Sequence, residues 1–265
     1  MRRPLNALAS DEAGTHTAAL SWLVVACAVA TACNRVYSAP SPNVPLFQAG
    51  GQVTAAGDYG TNGATLQAGY AAAPRLGLIA GGSYASRGRA DETSEATVLG
   101  LDQPIRRFGH GHAYGELGAG PVFPVRRRMR LELFLGLGYG HSAGQTPSGV
   151  HLADITGRYW APFVQADVGN VSDQVEWGFA SRVVALDWAF HSLDGAPLDE
   201  GRFIVAFQET GLLRVGPKPV KLQAELGVNV TTDDGRLPLW VTSPEAFVTI
   251  GLFTRFGGEP VPQHR

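Results

Sequence analysis

The chain has 265 residues and a formal net charge of −2. That length suits one domain of ordinary size, and the near-neutral charge excludes the basic surface a nucleic-acid partner would require. Its 34 glycines are nearly twice the usual share of about 7%, but they are scattered through apolar runs at 45% hydrophobic content, which excludes low-complexity disorder.

Arg2 and Arg3 are followed by an apolar run from Ala18 to Ala32. That run is too short for a membrane-spanning helix, which needs about 20 residues. It fits the core of a secretory signal ending in small residues. Ala30-Thr31-Ala32-Cys33 resembles the bacterial lipobox, which would make residues 1–32 a lipoprotein signal peptide and Cys33 the lipidated first residue. Ala30 stands where Leu is commoner, and Asp11 and Glu12 precede the core, so a start codon further downstream stays open. Val24-Val25-Ala26-Cys27 is a competing lipobox with a shorter core. The two cysteines offer no disulfide framework to the rest of the chain. Residues 33–46, with Pro40, Pro42 and Pro45, read as a lipid anchor and extended tether.

From residue 47 to 256 the recurring pattern is alternation with period two, the mark of strands. Ten strands are expected, at 48–58, 63–72, 75–86, 110–123, 129–141, 159–169, 174–190, 203–214, 219–231 and 246–256, with 94–101 read as loop. Leu131, Leu133, Leu135, Leu137 and Tyr139 form one face, opposite Glu132, Phe134, Gly136, Gly138 and Gly140. Short turns at 73–74, 124–128, 170–173 and 215–218 alternate with long loops at 87–109, 142–158, 191–202 and 232–245. An up-and-down transmembrane β-barrel of the outer membrane has this asymmetry, with tight periplasmic turns and longer outer loops. Only the connection at 59–62 is short where an outer loop is expected. An even strand count puts both termini on the periplasmic side, with Cys33 beside the inner leaflet of the outer membrane. Tyr84, Tyr114, Tyr139, Tyr159, Trp160, Trp188 and Phe190 fall toward the outer end, and Tyr70, Phe123, Trp177 and Phe256 toward the inner end, as interface girdles would. Pro121 and Pro162, each lacking a ladder donor, are expected near strand ends. Residues 257–265 form a tail.

Several segments in this order carry a family likeness: Pro42-Asn43-Val44-Pro45-Leu46-Phe47, Leu66-Gln67-Ala68-Gly69-Tyr70-Ala71, Tyr114-Gly115-Glu116-Leu117-Gly118-Ala119-Gly120, Leu135-Gly136-Leu137-Gly138-Tyr139-Gly140 and Pro219-Val220-Lys221-Leu222-Gln223. Together they resemble an uncharacterised group of outer-membrane β-barrel lipoproteins of Bacteroidetes-like bacteria. The resemblance implies a membrane barrel and a lipid anchor, and no activity. Residues 249–256 look like the terminal strand signal read by the barrel-assembly machinery, except for Thr254, where an apolar residue is usual. Partners expected on this reading are outer-membrane lipids and, during biogenesis, the barrel-assembly and lipoprotein-sorting machineries.

The chemistry-bearing residues fall in two groups. Glu116, Glu132, Asp167, Glu176, Arg182, Glu209, Lys221, Glu225 and Arg255 lie within strands, and those opposite the apolar stripe would point into the lumen. Charges there must pair, which makes a neutral plug of salt bridges the leading expectation, ahead of a small polar pore or pocket. His110, His112, His141 and His191 map near the outer rim, and His151 lies in an outer loop. Ser142, Ser192, Asp187 and Asp194 lie close to them in sequence. A histidine general base acting on lipid or peptide there is the enzyme alternative, though no family spacing for it is present, and no cofactor or metal site is assigned. The run Arg126-Arg127-Arg128 reads as a solvated turn, or one meeting anionic lipid. The leading function is thus a lipid-anchored structural or interaction barrel without catalysis, with a soluble periplasmic barrel or sandwich as the remaining rival.

Overall fold

In the computed structural model, period-two alternation resolves into one closed antiparallel barrel of ten strands. The structure describes residues 40–86, 94–98, 101–105, 111–148, 151–193, 195–232 and 245–258. The barrel strands are β1 (Val53–Gly60), β2 (Gly63–Ala73), β3 (Leu76–Ala85), β6 (Gly111–Pro124), β7 (Met129–Ser148), β8 (His151–Asn170), β9 (Val175–Leu193), β10 (Ala196–Val215), β11 (Val220–Thr232) and β12 (Glu245–Phe256). Between β3 and β6 a separate two-stranded hairpin pairs β4 (Ser94–Val98) with β5 (Leu101–Ile105), inside the stretch read as loop. Each barrel strand pairs with its neighbour in sequence, and β1 closes on β12 from Val53↔Phe256 to Gly60↔Thr249.

The alternation decides which side is which, because register fixes every side chain's face. Leu66, Leu117, Leu133, Leu135, Leu137, Val164, Phe179, Val183, Phe207, Leu213, Leu222, Val228, Ile250 and Leu252 lie exposed on the outer face. Buried between them along the same strands are Gln67, Glu116, Glu132, Gln165, Asp167, Glu176, Arg182, Gln208, Arg214, Lys221, Gln223, Glu225 and Arg255. A soluble barrel or sandwich would carry the reverse arrangement, so the apolar stripe is the surface of a transmembrane barrel facing lipid. Among the nine strand charges singled out from the sequence, Glu209 is the exception: it shares the outward face with Ser181, whose hydroxyl donates to it at 2.8 Å.

Tyr59, Tyr84, Tyr139 and Trp160 stand exposed at the outer edge of this band, and Tyr70, Phe123, Trp177 and Phe256 at its inner edge. Tyr139 is ten residues beyond Met129, where β7 begins. At a strand tilt of about 40° that corresponds to about 25 Å of height, the apolar thickness such a barrel presents. Three aromatics expected in the outer girdle are elsewhere. Tyr114, Tyr159 and Trp188 fall on the inward face and are buried in the lumen, with Tyr114–Tyr159 and Tyr159–Trp188 centroids 6.1 and 4.5 Å apart.

Two of the long loops are strand. β7 and β8 stay in register out to Ser148↔His151, and β9 and β10 pair out to Leu193↔Ala196. The wall therefore stands well above the girdle on the β7–β10 side, with 19 or 20 residues per strand, and is low at β1–β3, with 8, 11 and 10. The extension also moves Pro162 from a strand end to the interior of β8. It still faces Leu137 across β7, while the β8–β9 ladder skips Ala161 and Pro162, as the missing donor requires. Pro121 does the same near the end of β6, where the ladder to β7 skips Gly120 and Pro121.

Placing Arg at Leu135, on the lipid face inside the apolar band, is expected to cost about 2–4 kcal/mol. Urea titration of the barrel refolded in lipid vesicles measures the loss. The unsubstituted protein should migrate differently on a detergent gel before and after boiling; identical migration in both states, together with fractionation as a soluble protein, would exclude the membrane barrel.

Candidate functional site in the lumen

The lumen holds the chain's own N-terminal segment. Residues 40–47, where the structure first describes the chain, are buried throughout. The proline-rich stretch read as a free tether is therefore internal from residue 40 onward, extended as its prolines require but packed inside the barrel. The run of carbonyls and amides along it meets the polar inward residues one by one. Glu132 accepts from the Leu46 and Phe47 amides at 3.0 and 2.6 Å. Arg255 donates to the Pro45 carbonyl at 3.0 Å, Arg214 to Val44 at 2.7 Å and Gln165 to Asn43 at 2.8 Å. The Asn43 amide reaches the wall's own backbone at Ala68 and Ala80. Gln67 donates to the Ser41 and Pro42 carbonyls, and the Ser41 hydroxyl donates to Glu225.

Side-chain packing closes the remaining space. Phe47 lies against Gly69 and Gly77, where a Cβ would meet its ring at 2.9 and 2.7 Å. Leu46 lies against Gly169, and with Val44, Val171, Ala180 and Leu212 forms a small apolar cluster. Higher in the lumen Gly136 and Gly138 make room for Phe163 and Tyr114. At Gly77, Gly136 and Gly138 glycine is a packing requirement, since any side chain would collide with an aromatic ring.

The inward charges form two connected groups. Near the turn end Glu176 sits among Arg255, Lys221 and Arg214, at 2.5, 3.1 and 3.8 Å. Arg214 also donates to Gln223 at 2.6 Å and lies 3.6 Å from the Phe253 ring centroid, and Gln223 continues to Asp58 and Glu225. Further out Arg182 makes a two-pronged contact with Glu116 at 2.8 and 2.9 Å, lies over Phe163, and donates to Gln165, which reaches Asp167. The expected salt-bridge plug is present, and Asp58, Gln67, Gln165, Arg214 and Gln223 belong to it although they were not singled out from the sequence.

Of the rim histidines, His112 and His141 have described side chains, and these lie on opposite faces of the wall. His112 points inward, buried, with Nε2 3.0 Å from the Ser83 hydroxyl. Ser142 lies opposite it across the β6–β7 ladder, also buried. His141 is one position further on and so faces outward, opposite Arg158. Asp187 is likewise outward and exposed, and Ser192 pairs with Thr156 at 2.8 Å. His110 and Asp194 lie outside the described residues, as do Cys27 and Cys33, and the side chains of His151 and His191 are not described. At the turn end a cavity of about 790 Å³ is lined by Arg75, Arg127, Arg128, Arg130 and Lys218, with Asp173 as the acidic counterpart. Lys218 pairs with Asp173 at 2.7 Å and holds that carboxyl below its ordinary range.

No family model and no curated protein matches the chain. Among solved structures it resembles the outer-membrane protease OmpT from Escherichia coli, at 12% identity and a TM-score of 0.44, over 77% of this chain and 93% of that one. It also resembles LpxR from Salmonella typhimurium (8%, TM-score 0.35, 77% and 99% coverage) and the KdgM porin (11%, TM-score 0.33, 78% and 99%). These are likenesses of barrel fold, and no residue role follows from them.

Replacing Glu176 by Leu leaves Arg214, Lys221 and Arg255 without their shared carboxylate. Stranding buried cations in this way is expected to cost about 3–5 kcal/mol, read as a lower urea midpoint. Glu176→Gln, which keeps the shape and an acceptor oxygen, should lose less.

Proposed function

We propose that this protein is a lipid-anchored barrel of the bacterial outer membrane with a structural or interaction role, closed to solute flow and without catalysis. The observation that carries the proposal is the occupied lumen. A ten-stranded barrel is wide enough to leave axial space beyond what wall side chains fill, and here residues 41–47 fill it while hydrogen-bonding to several strands of the wall. Nothing the size of a solute passes such a lumen without moving the segment. The anchor at Cys33 rests on the lipobox, and the membrane on the apolar outer face. The tall β7–β10 wall then stands outside the membrane as the surface most open to a partner.

Conductance across a planar lipid bilayer tests the closed lumen. The whole protein should give no steady current. Glu132→Ala with Arg255→Ala, which removes holds on Pro45, Leu46 and Phe47, should give flickering openings. Steady ohmic conductance from the unsubstituted protein would establish a pore instead.

A second reading, an enzyme acting on lipid or peptide, is favoured by the Ser83–His112 contact alone. A serine alkoxide formed with a histidine base is a nucleophile. If the pair hydrolyses esters or amides, a fluorophosphonate probe should label Ser83 in the folded barrel, and His112→Ala should abolish the labelling. Absence of labelling leaves the non-catalytic barrel.

A further inference from the structure

Cations are distributed unevenly through this barrel. Inside the lumen Arg182 is met by Glu116, and Arg214, Lys221 and Arg255 are met by Glu176. At the turn end the proportion reverses. Five cations, Arg75, Arg127, Arg128, Arg130 and Lys218, line one cavity of about 790 Å³, and Asp173 is the one carboxylate among its lining residues. Asp173 is engaged by Lys218 at 2.7 Å. Among the described residues, no carboxylate stands within ion-pair distance of the four arginines. This concentration of positive charge occurs in a chain whose net charge is −2.

A charge run alone does not produce it. Arg127 and Arg128 belong to the run 126–128, but Arg75 comes from the β2–β3 turn, Arg130 from the start of β7 and Lys218 from the β10–β11 turn. Three turns and a strand therefore bring cations to one space, while Arg126 of the same run does not line it. Arg130 is also fixed in place. Its Nε donates to the Phe47 carbonyl at 3.0 Å, and its Nη1 to the carbonyls of Arg126 and Met129 at 3.2 and 3.0 Å. A guanidinium ordered before a ligand arrives lowers the entropy loss on binding. Phe47, Val122 and Val171, all buried, line the same cavity, so it combines apolar surface with a cationic rim. Its volume lies within the range of about 300–1,000 Å³ of small-molecule sites.

We infer that this cavity binds an organic phosphate on the periplasmic side, with the phosphate against Arg75, Arg127, Arg128 and Arg130 and the organic part against Phe47, Val122 and Val171. The inference gives the proposed interaction role a ligand class. It rests on that reading only for the side of the membrane on which the ligand is met.

Charge and shape select the class. Guanidinium forks match phosphate and carboxylate alike. Five cations against one carboxylate favour a group with more than one negative charge, and a phosphate monoester carries about −1.5 to −2 at neutral pH. The apolar lining favours an organic phosphate over the bare ion. A lipid headgroup and a free solute can both supply this chemistry, because the turn end adjoins the periplasm and lies beside the inner girdle of Phe123 and Trp177.

The test uses the full chain folded in a neutral detergent. Heat-modifiable migration verifies each variant. A chain without it tells against the barrel, whereas a folded barrel that binds nothing tells against the site alone. Labelled pyrophosphate is the probe, in equilibrium dialysis at about 0.15 M salt, where distant surface charges are screened. The parent should bind it saturably. Arg75→Gln with Arg128→Gln, both at exposed turn positions, should weaken binding at least about tenfold. Arg126→Gln keeps the carbonyl that holds Arg130 and should leave binding within about twofold. No saturable binding by the folded parent overturns the inference, as does binding that the double variant leaves unchanged. An equal loss in Arg126→Gln also overturns it, because the effect is then one of general charge at this end. Glycerol phosphate and dihexanoyl phosphatidic acid, which share the monoester and differ in acyl chains, are then used as competitors. Tighter displacement by the phosphatidic acid supports the site with a lipid headgroup as its source. Equal or tighter displacement by glycerol phosphate supports it with a free solute. Displacement by neither overturns the organic-phosphate class.

Discussion

Everything in this barrel follows from putting the apolar residues outside. Once Leu135, Val164, Ile250 and their neighbours face lipid, the other half of every strand must point into a lumen where water is scarce. A polar group there costs several kcal/mol if unpaired. The wall strands already use their backbone groups on each other, so inward side chains must find partners elsewhere. Part of the solution is mutual, as in Glu116 with Arg182 and Glu176 with its three cations. The rest is an inserted peptide. An extended proline-rich segment makes no internal hydrogen bonds, so the carbonyls of Asn43, Val44 and Pro45 are free to accept from Gln165, Arg214 and Arg255. The same constraint explains Glu132, which has no lysine or arginine within ion-pair distance among the described residues and instead takes two backbone amides.

The glycine content has its physical reason in the same place. Large rings fill volume efficiently but need flat wall opposite them. Gly136 faces Phe163, Gly140 faces Tyr159 and Gly227 faces Phe247, each at a distance where a methyl group would overlap the ring. Glycine costs strand propensity, and the barrel offsets that cost through the packing of Phe, Tyr and Trp on the bare backbone. The upper lumen is thus closed by aromatics lying on glycine and the lower lumen by the N-terminal segment lying on glycine.

Much of this was legible in the sequence. Period two placed all ten barrel strands and separated the two faces, since Leu131 to Tyr139 and Glu132 to Gly140 cannot share one. The same parity places Tyr114, Tyr159 and Trp188 inward. Reading them as girdle residues followed their height along the strand and ignored their face. The hairpin extensions were partly legible too: Asp194-Gly195 is a strong two-residue turn signal, and Gly195 has φ of +77°. The lumenal segment was not legible. Prolines 40, 42 and 45 announce an extended chain, but composition does not say what an extended chain lies against. The available clue was a surplus of amides and acceptors on the inward face, Gln67, Gln165, Glu132 and Gln223, beyond what paired charges use. The Ser83–His112 contact joins β3 to β6 across a long connection, a juxtaposition only the register supplies.

The unequal wall and the filled lumen are one problem. A closed sheet must tilt its strands, and a barrel built from β1–β3 alone would barely reach both girdles, whereas β7–β10 overshoot the outer one by about half their length. An open lumen under such a slanted rim would expose its charged interior sideways, at lipid height, beside Tyr59 and Tyr84. The segment running from Phe47 to Ser41 ends its described course where Gln67 and Glu225 hold it, four residues along β2 below the β1–β2 hairpin at Gly63. A truncated wall and an internal peptide are each unfavourable alone, one through exposed polar surface and the other through the entropy of ordering a chain. The segment's hydrogen bonds to Glu132, Arg214, Gln165 and Gln67 offset that entropy, which is the physical reason to treat residues 40–47 as part of the barrel.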